Sequence, residues 1–179
     1  GNPEEAVEHY RHVLGTDPDN FQANNNLGQY LLQEAETREE AIELLNEAAR
    51  IRPESHLPWV NLGTAHRLAG QFEAAMHAAR RAEELGADQA FLIMGQVLAE
   101  QERTDAFQRF IRGEVAAMSS APERVSALAK TLLDGDDAEY AVHALETACN
   151  LWPDEKALQE RLAHALRVRA RGLVASGRP

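Results

Sequence analysis

Apolar residues recur along this chain at helical rather than strand intervals. Leu27 and Leu31 lie one turn apart, and Leu44, Leu45 and Ala48 share a second stripe, the spacing of one face of an amphipathic helix. No β-branched stretch alternates with polar residues and no Asn-Gly turn appears, so the hairpin signals of a β-protein are missing. The pattern predicts about ten helices, over 3–15, 21–35, 38–52, 56–69, 72–85, 88–101, 104–117, 122–133, 137–150 and 155–173. Thr37-Arg38-Glu39-Glu40 reads as a capping box opening the third of these, and Ser120-Ala121-Pro122-Glu123 as another, with proline at a helix start.

The helices are spaced by a repeat. Leu27-Gly28 and Leu62-Gly63 return as Met94-Gly95, Leu128-Ala129 and Leu162-Ala163, so the small residue advances by 35, 32, 34 and 34 positions. A second anchor is alanine, at Ala6, Ala41, Ala75, Ala106 and Ala141. Pro18, Pro53 and Pro153 close successive units, where proline stops one helix and leads into the next. Small residues at both anchors let the two helices of a unit approach closely. Two irregularities stand out. There is an extra residue near Ala35–Thr37, and the fourth unit is one residue short before Ala106.

These anchors resemble the tetratricopeptide repeat, with a period near 34 residues and a Trp-x-x-Leu-Gly opening. Trp59-Val60-Asn61-Leu62-Gly63 matches that opening residue for residue. The resemblance implies an all-α fold, a right-handed α-solenoid of antiparallel helix hairpins. It divides the chain into a half repeat at 1–20, repeats at 21–55, 56–87, 88–121 and 122–155, and a C-terminal capping helix at 156–175. A start in mid-repeat would leave the face carrying Ala6, Tyr10, Val13 and Leu14 without its usual cover. That implies either a fragment of a longer protein or self-association through helix 3–15.

The family's usual ligand surface is a concave groove lined by the first helix of each hairpin. Carried onto this sequence, the groove positions include Gln22, Asn25, Asn26 and Gln29, then Asn61, Thr64 and Arg67, then Leu92, Ile93 and Gln96, and finally Lys130. Asn26 and Asn61 both precede Leu-Gly and resemble the asparagine rungs with which some members grip an extended peptide backbone. A carboxamide pairs with a peptide bond whatever the side chain. The same two asparagines are equally a tolerated polar choice on a solvated face. Leu92 and Ile93, with Val60 and Leu57, form an apolar stretch that either takes a hydrophobic ligand side chain or is covered from within. The dicarboxylate clamp of chaperone-binding members needs basic residues where Asn25 and Gln29 stand, and so is not expected. Replacing Asn26 and Asn61 by alanine is expected to weaken partner binding while leaving helicity and melting nearly unchanged.

Composition narrows the function. Of 179 residues 44% are hydrophobic, which suits a folded chain, and the net charge is −11, which is opposed to nucleic-acid binding. The acidity is uneven: residues 1–55 hold twelve Asp and Glu against four Lys and Arg, whereas beyond Glu160 the charges are all arginine. This asymmetry steers a partner or merely keeps the chain in solution. Cys149 stands alone, so no intrachain disulfide is possible. His9 and His12 share a helix face but lack a third ligand on it. No phosphate-binding loop, dinucleotide fingerprint or hydrolase motif appears. The expectation is a non-catalytic, cofactor-free scaffold or adaptor that holds a protein or extended peptide, with no membrane insertion. The alternative is the recruiting or oligomerising arm of a larger enzyme of glycosyltransferase, oxygenase or sulfotransferase type. Compartment stays open: the cytoplasm is favoured, and the periplasm is open if an export signal lies outside this segment.

Overall fold

The computed structural model describes residues 3–117, 121–135 and 137–175. Among them are ten α-helices: α1 (Pro3–Thr16), α2 (Phe21–Leu31), α3 (Arg38–Ile51), α4 (His56–Leu68), α5 (Phe72–Glu84), α6 (Gln89–Glu100), α7 (Thr104–Ala117), α8 (Ala121–Asp134), α9 (Ala138–Leu151) and α10 (Lys156–Ala175). The chain folds as two compact units, Gly1–Val97 and Leu98–Pro179, the divide falling inside α6. Among the described residues no helix is long and apolar enough to cross a membrane.

In the first unit α2 packs on α3 and α4 on α5 as antiparallel hairpins, with α1 against α2 and α3 against α4. Leu27, Leu31, Leu32, Ala41, Leu45, Ala49, Leu62, Ala65 and Ala78 form one core, and Val7, Tyr10, Leu14 and Trp59 pack on its edge. Tyr10 and Leu14 of α1 thus face this core. The Leu-Gly anchor works by close approach. A Cβ built on Gly28 would meet Leu45 Cγ at 2.7 Å and the Ala41 carbonyl at 3.1 Å.

The second unit repeats the scheme with α8 on α9, α9 on α10 and α7 against both α8 and α9. Here the sequence register needs correction. Ala6, Ala41, Ala75 and Ala141 are each the fourth residue of their helix, and in α7 that place belongs to Phe107, not Ala106. Phe107 is fully buried and meets the Tyr140 ring edge-on at 5.1 Å, while Ala106 is half-buried.

Local chemistry sets the helix ends. Asn20 Oδ1 accepts the Ala23 N–H at 3.0 Å and caps α2, while the buried Asn24 donates to the carbonyls of Pro18 and Asn20. Helix α2 stops at Leu31, earlier than its apolar spacing suggests, and a 3₁₀ turn at Ala35–Thr37 takes up the extra residue. The capping box expected at Thr37 does not form, because this residue is already helical in backbone (φ −105°, ψ 0°). Its hydroxyl turns back and donates to the Leu31 carbonyl at 2.7 Å. Arg38 does similar work, donating to the carbonyls of Leu32 and Leu68 at the ends of α2 and α4. Both satisfy acceptors that a helix C-terminus leaves open and that carry its negative dipole end. The cap expected from Ser120 lies outside the described residues.

Helices α4 and α5 close on glycines with φ of +70° and +84°, Gly70 and Gly86. At the corresponding place after α6 the residue is Glu102, with φ +54°. There the N–H of Glu102 and of Arg103 bond back to Ala99 and Leu98. A side chain in this left-handed region costs about 1 kcal/mol that glycine does not pay. Glu102→Gly is therefore expected to raise stability by about 0.5 kcal/mol, after the extra chain entropy of glycine is subtracted. Chemical denaturation checks this, and a lower midpoint would contradict it.

Candidate functional site

A cleft of about 480 Å³ opens on the first unit and is lined by Tyr10, Asn26, Gln29, Tyr30 and Gln33. Tyr10 comes from α1; the other four come from α2 and the turn after it. Asn26, Gln29, Tyr30 and Gln33 follow at steps of three, one and three, so they share one side of the helix, while Leu27 and Leu31 fill the core on another. Tyr10 reaches the cleft because the apolar face of α1 seats its ring beside α2. The Tyr10 and Tyr30 rings stand 6.2 Å apart between centroids and are inclined by 33°. Tyr30 is 45% exposed.

Behind the cleft runs a directed line of hydrogen bonds across three helices. Asn61 Nδ2 donates to Asn25 Oδ1 at 3.1 Å, Asn25 Nδ2 to Asn26 Oδ1 at 3.1 Å, and Asn26 Nδ2 to the Tyr10 hydroxyl at 3.1 Å. Each group is polarised by its predecessor, and such a chain is stiffer than isolated pairs. The five lining side chains are carboxamides and phenols, so the cleft carries no formal charge in a chain whose net charge is −11.

The residues expected to line a groove do not share one setting. Asn25, Asn26 and Asn61 are brought together, but as one bonded line and not as parallel rungs. Asn25 is only 5% exposed, and its carboxamide is bonded to both Asn26 and Asn61. Gln29 is exposed on the cleft wall, and Gln22 is exposed on α2 outside it. Thr64 is half-buried and donates to the Val60 carbonyl of its own helix; Arg67, Leu92 and Gln96 are half-buried. Ile93 is 4% exposed, because its side chain covers the space left open by Gly63, 3.3 Å from where a Cβ would stand. The apolar stretch expected at Leu92 and Ile93 is thus covered from within at Ile93. Lys130 is exposed on α8 of the second unit.

The expectation that alanine at Asn26 and Asn61 leaves melting nearly unchanged needs correction. Alanine at both positions strips Tyr10 and the buried Asn25 of partners, and an unmade bond at a buried polar group costs about 1–3 kcal/mol. Sequence reasoning passed over Tyr30 altogether, and set Tyr10 down as part of an apolar face. The signal for both was available in kind: an aromatic side chain at an outward position of α2, and another on the α1 face turned toward it.

Arg50 bridges Asp19 at 2.6 Å and Glu47 at 2.5 Å on the exposed face of α3; the hydrogen bond from Arg50 holds the Glu47 carboxyl below the usual range. Burial pushes the Cys149 thiol up, away from the thiolate a nucleophile needs. Among the described residues no three His, Cys, Asp or Glu side chains converge as a metal site.

The first 56 residues match the family model described as tetratricopeptide repeat. No curated protein matches the chain in sequence. Solved structures do match in fold. A crystal structure of MamA superposes with a TM-score of 0.61 at 19% identity, over 86% of this chain and 85% of that one. YrrB, described as a TPR protein with an unusual peptide-binding site, gives 0.56 at 21% identity, over 88% and 82%. TTC0263, a thermophilic TPR protein of Thermus thermophilus, gives 0.57 at 21% identity, over 92% and 90%. At these identities the likeness speaks to the fold: an all-α chain of stacked helical hairpins.

Proposed function

We propose that this chain, whose first 56 residues match the tetratricopeptide-repeat model, is a non-catalytic scaffold or adaptor that holds an extended segment of another polypeptide in the α1–α2 cleft. The observation that carries this reading is the bonded line Asn61–Asn25–Asn26–Tyr10 behind an open wall of Gln29 and Gln33. A ligand wall that is already rigid loses little freedom on binding. Carboxamides facing solvent offer the donors and acceptors that an extended backbone requires, independent of its side chains. The peptide-binding site attributed to YrrB lends the reading support by analogy of fold.

The test uses the two wall residues that the fold does not need. The full chain is screened against an array of blocked random decapeptides, beside a Gln29→Ala, Gln33→Ala variant. Peptides retained by the wild type are expected to bind the variant about ten-fold more weakly, the loss of one to two modest hydrogen bonds. Circular dichroism and melting should stay within the small range of surface substitutions. Equal retention by both proteins would remove the cleft from consideration.

A further inference from the structure

From the chemistry left open in the cleft we infer that its ligand is a proline-rich segment in the polyproline II conformation. This rests on the peptide-holding reading above and narrows it to one ligand class.

The first argument is donor and acceptor balance. Asn26 Oδ1 already accepts from Asn25, and the Tyr10 oxygen already accepts from Asn26. Each oxygen keeps further acceptor capacity, and beside it the two residues present two donors, the Tyr10 hydroxyl hydrogen and the second amide hydrogen of Asn26. A strand-like peptide brings N–H groups that need acceptors. A proline-rich chain brings carbonyls and few N–H groups, and its backbone makes no internal hydrogen bonds. The two donors of Tyr10 and Asn26 are placed to meet those carbonyls.

The second argument is shape. The Tyr10 and Tyr30 rings have centroids 6.2 Å apart and planes inclined by 33°. Polyproline II advances about 3.1 Å per residue, so the two phenols span two residue steps. Pyrrolidine rings pack on aromatic faces, and aromatic grooves are the common receptors for such helices. The third argument is charge. None of the five lining residues is charged, so the cleft lacks a partner for a ligand carboxylate or ammonium. A neutral ligand that is stiff before it binds, and so loses little entropy, suits these walls.

The experiment titrates the full chain with blocked decaproline, a blocked Gly-Ser decapeptide and maltoheptaose, by calorimetry. Decaproline should bind about ten-fold or more tightly than the Gly-Ser peptide. Tyr30→Ala should weaken decaproline about ten-fold, as loss of an aromatic anchor does, while Tyr30→Phe retains most of the affinity because the ring remains. Tyr10→Phe should weaken it about three- to ten-fold through the lost donor, with circular dichroism confirming the fold in each case. Should decaproline bind no better than the Gly-Ser peptide while the random array still separates wild type from the Gln29, Gln33 variant, the cleft holds peptide but not polyproline II, and this inference fails alone. Saturation by maltoheptaose without decaproline binding would make it a sugar site and also overturn the inference. If neither the array nor decaproline binds, the inference and the reading beneath it fail together.

Discussion

Phe107→Ala should destabilise the second unit by about 3–5 kcal/mol, the usual toll of a large aromatic removed from a closed core. The ring is fully buried and meets Tyr140 edge-on at 5.1 Å, beside the Thr104 hydroxyl, which lies 3.3 Å from the Tyr140 hydroxyl. Truncation would open a cavity and remove an aromatic pair worth about 0.5–1.5 kcal/mol beyond its buried area. The prediction is sharp because alanine fills the equivalent place in α1, α3, α5 and α9. A reader of the repeat alone would expect alanine to improve the fit. Urea denaturation followed by circular dichroism decides between them. A change below about 1 kcal/mol would mean that the neighbouring helices close over the gap.

Gly28→Ala should cost about 1–3 kcal/mol, and Gly63→Ala close to nothing, although both glycines hold the same place in the repeat. At Gly28 the added methyl would stand 2.7 Å from Leu45 Cγ, the branch carbon of a fully buried side chain, and 3.1 Å from the Ala41 carbonyl. Neither is a free end, so α2 and α3 must separate, and forced overpacking carries a penalty of this order. At Gly63 the nearest atoms are two methyl groups of Ile93 at 3.3 Å, with the Ala75 carbonyl at 3.6 Å. A few tenths of an ångström relieve that contact, and alanine gains up to about 1 kcal/mol in helix propensity. Thermal melts of the two variants side by side test the contrast. The Gly28 variant should melt several degrees lower, at roughly 2–4 °C per kcal/mol for a chain of this size. Equal melting points would contradict the packing argument.

Helix content was legible because it depends on spacing that one chain carries by itself. The stripe of Leu27 and Leu31, the small residues at Gly28 and Gly63, and the prolines at boundaries all act within one hairpin. Helix ends were less legible. Thr37 looked like a cap for α3 and instead closes α2, since its backbone was already committed to a helical turn. The cleft was legible only in part. The asparagines stood at the right places, but their partners lie up to 36 positions away, and no local pattern tells a side chain which neighbour it will meet.

The sequence by itself determined the helices, their pairing into hairpins and the resemblance to the repeat fold, because periodicity and small-residue anchors are local and additive along the chain. Tertiary structure decided which of these residues are inside. It placed Phe107 where the repeat favours alanine, turned Asn25 and Ile93 inward, and brought Tyr10 beside Tyr30 to open a neutral cleft. Burial and hydrogen-bond partnership belong to pairs of residues in space, and such pairs exist only once the helices have packed.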